Sequence, residues 1–113
     1  SITSTIWDKS KGFSFSPWCI YIDKDKLEGN LLLRQRKDGD RFKPLGMEGS
    51  KKLKDYFIDK KIPRDERSRI PLLVDQENII WVVGYQINHD YRITDTSRNI
   101  IRISAKQYKT DGG

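Results

Sequence analysis

Cysteine, histidine and long apolar runs are scarce among these 113 residues, and each scarcity argues against a class of chemistry. Cys19, the single cysteine, cannot form an internal disulfide, and we expect its thiol to be buried. His89, the single histidine, has no cysteine cluster beside it, which argues against a metal site or histidine-based catalysis. No run reaches the ~18 apolar residues that cross a bilayer, so we expect no membrane partner.

Nucleotide-hydrolysing motifs are missing as well. The segment GMEGSKK at 46–52 invites comparison with a phosphate-binding P-loop, but Gly46 and Gly49 are three positions apart and Ser50 precedes Lys51. The motif needs glycines five positions apart and a lysine before the hydroxyl residue. Carboxylates are plentiful, but none is paired in an apolar setting that separates two pKa values. We therefore expect no catalytic residue, no metal and no cofactor for this chain alone.

Positive charge is abundant and concentrated. The window 34–69 holds thirteen basic and seven acidic residues, a net charge of +6, which equals the formal charge of the whole chain. The remaining residues are electrically balanced. A concentrated positive field can hold a polyanion, whereas dispersed charge mostly aids solubility.

The hydrophobic patterns predict one small α+β domain over residues 1–113, with a mainly antiparallel sheet packed against one amphipathic helix. An alternating apolar pattern predicts an edge strand at 2–7. The run IIWVVGY, which would be apolar on both faces of a strand, predicts a central buried strand at 79–85. Further strands are predicted at 18–23, 30–36, 70–75 and 100–106. The start of the sequence lacks the pattern of a signal peptide. It also lacks an initiator methionine, which leaves a processed product or an excised piece as open interpretations.

The helix is predicted at 50–61, with Ser50 as N-cap and Pro63 ending it. At helical spacing, Leu53, Tyr56 and Phe57 share one arc and should face the core. On a second arc the pattern gathers Lys51, Lys54 and Lys61. Lys51 and Lys52 fall in the first turn, where the helix dipole is positive. That placement becomes favourable when an anion binds the free backbone N–H groups there.

The basic residues of the window are predicted to converge on one surface and to contact phosphates. Arginine offers a planar fork to phosphate oxygens and lysine a mobile point charge. Few free aromatic residues lie nearby, which favours recognition of a helical nucleic-acid backbone over base stacking. An acidic surface of a protein partner is the alternative ligand. The predicted RNA-binding residues are Arg34, Arg36, Arg41, Lys51, Lys52, Lys54, Lys61, Arg64 and Arg67.

Asp40 has two interpretations within this window. It flanks Gly39 in a predicted turn, where an aspartate commonly accepts backbone hydrogen bonds. It could instead orient Arg41 through a local ion pair. We favour the role in the turn.

Several blocks follow one another in a fixed order along the sequence: Arg34-x-Arg36, Gly39-Asp40-Arg41-Phe42, Gly49-Ser50-Lys51-Lys52-Leu53-Lys54, Lys61-Ile62-Pro63 and Ile80-Trp81-Val82. With these blocks the sequence resembles the C-terminal domain of bacterial tRNA(Ile)-lysidine synthases over about 31–87, with a weaker similarity in RITDTSRNIIRI. One departure follows Gly84, where the family often carries an arginine and an acid, and this chain has Gln86 and Asn88.

The resemblance implies a tRNA-docking domain of a cytoplasmic, ATP-dependent ligase that joins lysine to the anticodon wobble cytidine of tRNA(Ile). The catalytic PP-loop domain of that family is absent from these residues, so ATP and lysine are expected only for that domain. The implied partners are tRNA(Ile) and the enzyme's own catalytic domain. Some family members are dimers, so a homodimer is also an expectation. The alternative function is a protein-interaction module that docks an acidic partner or the catalytic domain.

Overall fold

Two three-stranded antiparallel sheets and a two-stranded ribbon form the framework of the computed structural model, which describes residues 2–106. The outer sheet has the order β1-β8-β2, the inner sheet β3-β6-β7, and the ribbon pairs β4 with β5. The strands are β1 (Ile2–Trp7), β2 (Cys19–Asp23), β3 (Leu32–Arg34), β4 (Arg41–Phe42), β5 (Lys51–Lys52), β6 (Leu72–Val74), β7 (Ile79–Val82) and β8 (Ile100–Ala105). The helices are α1 (Leu53–Asp59) and α2 (Arg64–Arg67).

The inner sheet lies between two hydrophobic cores because side chains alternate along its strands. On β6, Leu72 and Val74 enter the first core, where Leu53, Tyr56 and Phe57 of α1 pack. Leu73 enters the second core, which the isoleucines of the outer sheet close from the other side. The layers therefore run from α1 through the inner sheet to the outer sheet.

This architecture confirms the predicted α+β class with mainly antiparallel sheets and one amphipathic helix. Strand β1 is an edge strand, as predicted, and it pairs with β8 from Ile2 opposite Ala105 to Trp7 opposite Ile100. The placement of the strand predicted at 79–85 was wrong. Strand β7 ends at Val82 and lies at the edge of the inner sheet, with β6 at its centre. Its residues are buried because packed layers cover both faces of the sheet.

The predicted start of the helix was also wrong. Lys51 and Lys52 pair with Phe42 and Arg41 as a strand, so α1 begins only at Leu53. Ser50 does not cap the helix, because its hydroxyl oxygen accepts a hydrogen bond from Arg41 Nε at 3.1 Å. The backbone N–H of Leu53 donates to the carbonyl of Asp40 at 2.9 Å. The two lysines therefore do not lie in a first helical turn, and the prediction that they flank an anion site there was wrong.

The helix ends two residues earlier than predicted, because Lys61 adopts a left-handed conformation with φ of 58°. Its N–H donates to the carbonyl of Ile58 at 2.9 Å, and the N–H of Ile62 donates to that of Phe57 at 3.0 Å. This pair of bonds is a Schellman motif with lysine where glycine is usual. Lys61 consequently leaves the helical stripe that its spacing predicted.

Cys19 is half-buried, so the expectation of a buried thiol was wrong. It lies at the start of β2, where the neighbouring segment 10–18 is exposed. Among residues 2–106, no helix is long and apolar enough to cross a membrane.

A buried carboxylate ties the loop before β3 to the turn between β6 and β7. Asp75 accepts hydrogen bonds from the N–H groups of Glu28, Glu77 and Asn78 and from the hydroxyl of Tyr91, at 2.6–2.9 Å. Burial alone would raise the pKa of Asp75 and is the largest single influence on it, but the four hydrogen bonds together outweigh it and lower that pKa. The carboxylate is therefore held in its charged form in the folded state.

Replacing Asp75 by asparagine is expected to lower the free energy of unfolding by about 2–3 kcal/mol at neutral pH, because an amide cannot accept all four bonds. A lowered folded pKa gives stability that is complete above the unfolded value of about 3.9 and is lost as the pH falls through the folded pKa. Urea unfolding of both proteins should therefore show a difference in the free energy of unfolding that becomes smaller as the pH falls. An equal difference at neutral and acid pH would contradict the ionised network.

Candidate nucleic-acid interface

A tight turn over residues 37–40 organises the region where the basic residues gather. Gly39 has φ of +86°, a conformation that glycine adopts without strain. The carboxylate of Asp40 accepts the N–H of Lys37 at 2.8 Å and two parallel bonds from the guanidinium of Arg34, both at 2.9 Å. The turn is thereby fixed to β3, and the bond from Leu53 to Asp40 fixes it to α1.

The structure therefore supports a turn role for Asp40, but its ion-pair partner is Arg34 and not Arg41. Burial opposes the charged form of Asp40 most strongly. The hydrogen bonds from Arg34 and from the Lys37 backbone, with the nearby positive charges, nevertheless lower the pKa of its carboxyl group. Arg34 is therefore committed to holding the turn.

Replacing Asp40 by alanine should lower the free energy of unfolding by about 2–3 kcal/mol, since it leaves the Arg34 guanidinium without its partner and removes the hydrogen bond that closes the turn. Asp38 is the matched control because it flanks the same glycine, is exposed, and its side chain makes no hydrogen bond within residues 2–106. Asp38→Ala should change stability by no more than about 0.5 kcal/mol. Denaturant unfolding measures both variants, and equal losses would show that Asp40 does not hold the turn.

A groove of about 460 Å³ opens between this turn, the start of α1 and helix α2. Its walls also include Asp38, Gly39, Asp40 and Leu53. The basic residues that line it, which we call the basic groove, are Arg36, Lys37, Lys52, Lys54, Arg64 and Arg67. Three separate segments contribute these side chains, so the groove exists only in the folded chain.

Most of the cations in the basic groove have no protein partner. Within residues 2–106, the side chains of Arg36, Lys52, Lys54 and Arg64 make no hydrogen bond or ion pair. Arg67 differs, because its Nε donates to the carbonyl of Ile62 at 2.9 Å and fixes α2 to the end of α1. The lining holds six basic residues against Asp38 and Asp40, a net charge of +4, and a concave site attracts an anion strongly because its low-dielectric walls focus that field.

The structure therefore brings together five of the nine predicted residues: Arg36, Lys52, Lys54, Arg64 and Arg67. It also adds Lys37, which sequence reasoning missed by treating it only as part of the turn. The sequence signal that could have identified Lys37 is its position between Arg36 and Gly39 of the turn.

The other four predicted residues lie outside the basic groove. Arg34 is paired with Asp40, Lys51 forms an ion pair with Asp59, and Arg41 donates to both the hydroxyl and the carbonyl oxygen of Ser50. Lys61 is exposed beyond the end of α1. Arg34 and Arg41 instead line a neighbouring depression of about 500 Å³, together with Asp75 and Glu77. That depression has mixed charge, so it attracts a polyanion less strongly.

His89 has a structural role in this fold. Its Nδ1 accepts a hydrogen bond from the N–H of Gly46 at 3.0 Å, and its own N–H donates to the carbonyl of Lys43 at 2.8 Å. Lys43 in turn forms an ion pair with Asp90 at 2.8 Å. Across the described residues, no three side chains of the metal-ligating types cluster together.

Known proteins are similar to this chain over the residues that form the turn, the ribbon and the helix. The family model described as the TilS substrate C-terminal domain matches residues 31–104, which include all the residues of the basic groove. The chain belongs to the TilS substrate C-terminal domain family. The matched range also includes the segment RITDTSRNIIRI, where the sequence resemblance was weaker.

Curated relatives of the TilS substrate C-terminal domain are full-length enzymes of which this chain covers a small part. The tRNA(Ile)-lysidine synthase of Caldanaerobacter subterraneus subsp. tengcongensis is 43% identical over 91 residues, 80% of this chain and 20% of that protein. The enzyme of the same name from Clostridium tetani is 47% identical over 89 residues, 79% of this chain and 19% of that protein. The chain thus spans about a fifth of the length of these relatives.

Solved structures agree with the family assignment. A crystal structure of a TilS C-terminal domain superposes with a TM-score of 0.73 at 30% identity, covering 95% of this chain and 85% of that one. An N-terminal fragment of the phenylalanyl-tRNA synthetase β-subunit from Pyrococcus horikoshii superposes with a TM-score of 0.59 at 20% identity, over 75% of this chain and 27% of that one. The second likeness shows a shared fold.

Proposed function

We propose that this chain is the tRNA-binding domain of a tRNA(Ile)-lysidine synthase, and that its basic groove contacts phosphates on a helical part of the tRNA. The observation that carries the proposal is the set of four unpaired cations, Arg36, Lys52, Lys54 and Arg64, gathered in one groove. Membership of the TilS substrate C-terminal domain family supports tRNA as the polyanion.

Within the proposal, the chain positions tRNA and performs no chemistry. The groove residues supply charge and hydrogen-bond donors. The ATP-dependent joining of lysine to the anticodon wobble cytidine belongs to a separate catalytic domain of the full-length enzyme. That domain holds ATP and lysine, contacts this chain, and acts on tRNA(Ile) in the cytoplasm. Homodimerisation of the enzyme is part of the same expectation.

Recognition by shape and backbone fits the groove better than recognition of bases. The basic groove has cationic walls and offers no exposed aromatic ring, since Phe42, Tyr56 and Phe57 are in the first core. RNA helices are commonly recognised through phosphates and 2′-hydroxyl groups, because their deep major groove excludes side chains. We therefore expect affinity to depend strongly on salt and weakly on sequence.

Titrating tRNA into the chain at two salt concentrations tests the proposal. Contacts with about four or five phosphates predict a log–log slope of about −4, so affinity should fall about 250-fold between about 50 and 200 mM salt. A salt-independent affinity would contradict phosphate contacts. Absence of tRNA binding at low salt would favour the alternative, in which the groove docks an acidic protein surface.

A further inference from the structure

An aromatic cluster lies on the side of the outer sheet that faces away from the second core. Ile20 and Ile22 of β2 point into that core, so Tyr21, between them, points out. Trp7 of β1 lies on the same outward side, with its ring centroid 5.3 Å from that of Tyr21. The guanidinium of Arg102, on the strand between them, lies 5.7 Å from the Trp7 ring centroid.

The connection from β1 to β2 lays two more rings on this surface. Phe13 packs edge-on against Tyr21 at 4.9 Å, and Phe15 lies 6.0 Å from Phe13 with an interplanar angle of 28°. Trp7 Nε1 donates to the carbonyl of Gly12 at 2.9 Å. The hydroxyl of Tyr21 accepts the N–H of Ser14 at 3.2 Å. The connection is thus held in place, yet the Phe15 side chain remains exposed, with a relative accessibility of 82%.

The charge and composition of this surface suit a nucleic-acid ligand. The segment 8–21 contains two lysines and one acidic residue, Asp8, whose carboxylate accepts the N–H of Ser10. Its one aliphatic residue of the Leu, Ile, Val or Met type is the buried Ile20. Lys11 Nζ lies 5.6 Å from the Trp7 ring centroid. Exposed rings beside cations bind unpaired nucleotides, because the rings stack on bases while the cations attract phosphates. A protein-docking surface would more commonly include aliphatic side chains.

We propose that this aromatic face binds unpaired nucleotides of an RNA, with a base stacked on Phe15 and the adjoining phosphate near Lys11 and Arg102. The proposal rests on the proposed function in that the ligand is RNA, and it adds a second surface with different chemistry. The basic groove contacts the backbone of a helix, and the aromatic face binds bases. The layers of the fold place the two surfaces on different sides of the domain, so each can be disabled separately.

The test compares Phe15→Ala with Ile6→Ala. Ile6 has a relative accessibility of 63% and lies on the same strand as Trp7 but on its opposite side. The probes are a single-stranded oligoadenylate, an oligomer of equal length and charge that lacks bases, and an RNA duplex. Phe15→Ala should weaken binding of the oligoadenylate about tenfold and leave duplex binding unchanged. Ile6→Ala should alter neither.

Other outcomes separate this proposal from the proposed function. Oligoadenylate that binds Phe15→Ala as tightly as wild type, or no more tightly than the base-free oligomer, would overturn base stacking. Sedimentation showing that Phe15→Ala dissociates a dimer without changing RNA affinity would also overturn it and assign the face to a second copy of the chain. Oligoadenylate binding that depends on Phe15, with no duplex binding by wild type, would support the aromatic face and reject the role of the basic groove.

Discussion

Replacing Arg36, Lys52, Lys54 and Arg64 together by alanine should weaken tRNA binding about 1,000-fold at about 0.1 M salt. Each side chain supplies one phosphate contact in the proposed complex, and losing about four contacts lowers the log–log salt slope from about −4 to near zero. Because these side chains make no hydrogen bond or ion pair within the described residues, the free energy of unfolding should change by less than about 1 kcal/mol. Equilibrium titration at several salt concentrations measures both the loss and the slope.

A matched variant removes the same charge elsewhere. Lys24, Lys26, Arg69 and Arg98 are exposed and do not line the basic groove. Their joint replacement by alanine also removes two lysines and two arginines, so it lowers the net charge equally. We expect it to weaken binding less than about tenfold, through the long-range field alone. Equal losses in the two variants would mean that total charge, and not the groove, determines affinity.

Replacing Phe57 by alanine should lower the free energy of unfolding by about 3–5 kcal/mol, since it leaves a cavity in the first core. Phe57 is fully buried and its ring lies 6.1 Å from that of Tyr56, which in turn packs on Phe42 at 5.2 Å. The same core contains Leu72 and Val74 of β6, so Phe57 packs α1 against the inner sheet. Urea unfolding monitored by circular dichroism measures the effect.

The neighbouring residue supplies the control for this prediction. Ile58 belongs to the same helix but is half exposed, with a relative accessibility of 50%. Ile58→Ala should therefore lower the free energy of unfolding by no more than about 1 kcal/mol. Similar costs at Phe57 and Ile58 would show that α1 does not pack on the inner sheet as the structure describes.

Local patterns predicted the fold well where neighbouring residues decide it. Alternation located β1 and β8, and helical spacing identified Leu53, Tyr56 and Phe57 as core residues. The same patterns failed at the start of α1, where pairing of Lys51 and Lys52 with a strand ten residues earlier overrides the local capping signal of Ser50. Local sequence patterns do not reveal a contact between residues that are this far apart in the chain.

The candidate site was predictable as a region but not as a set of free side chains. The charge of the window 34–69 located the region. The sequence could not separate Arg36, which is unpaired, from Arg34, which Asp40 binds six residues away. It likewise gave no sign that Asp59 pairs with Lys51. Such partners depend on how turns bring distant residues together, so only the folded structure distinguishes them.

The aromatic face was not predicted because the rings that form it come from three segments with different signals. Trp7 lies in a strand, Phe13 and Phe15 lie in an irregular connection, and Tyr21 lies in the next strand. No single window shows them as neighbours. Their convergence follows from the pairing of both strands with β8.

Lysine modification in the presence of tRNA tests the central claim most directly. An acetylating reagent reacts with exposed lysines, and mass spectrometry reports the reactivity of each one with and without bound tRNA. We predict that tRNA protects Lys52 and Lys54 in the basic groove and leaves Lys24 and Lys26 as reactive as in the free chain. Full reactivity of Lys52 and Lys54 in the saturated complex, or equal protection of all four lysines, would contradict the account.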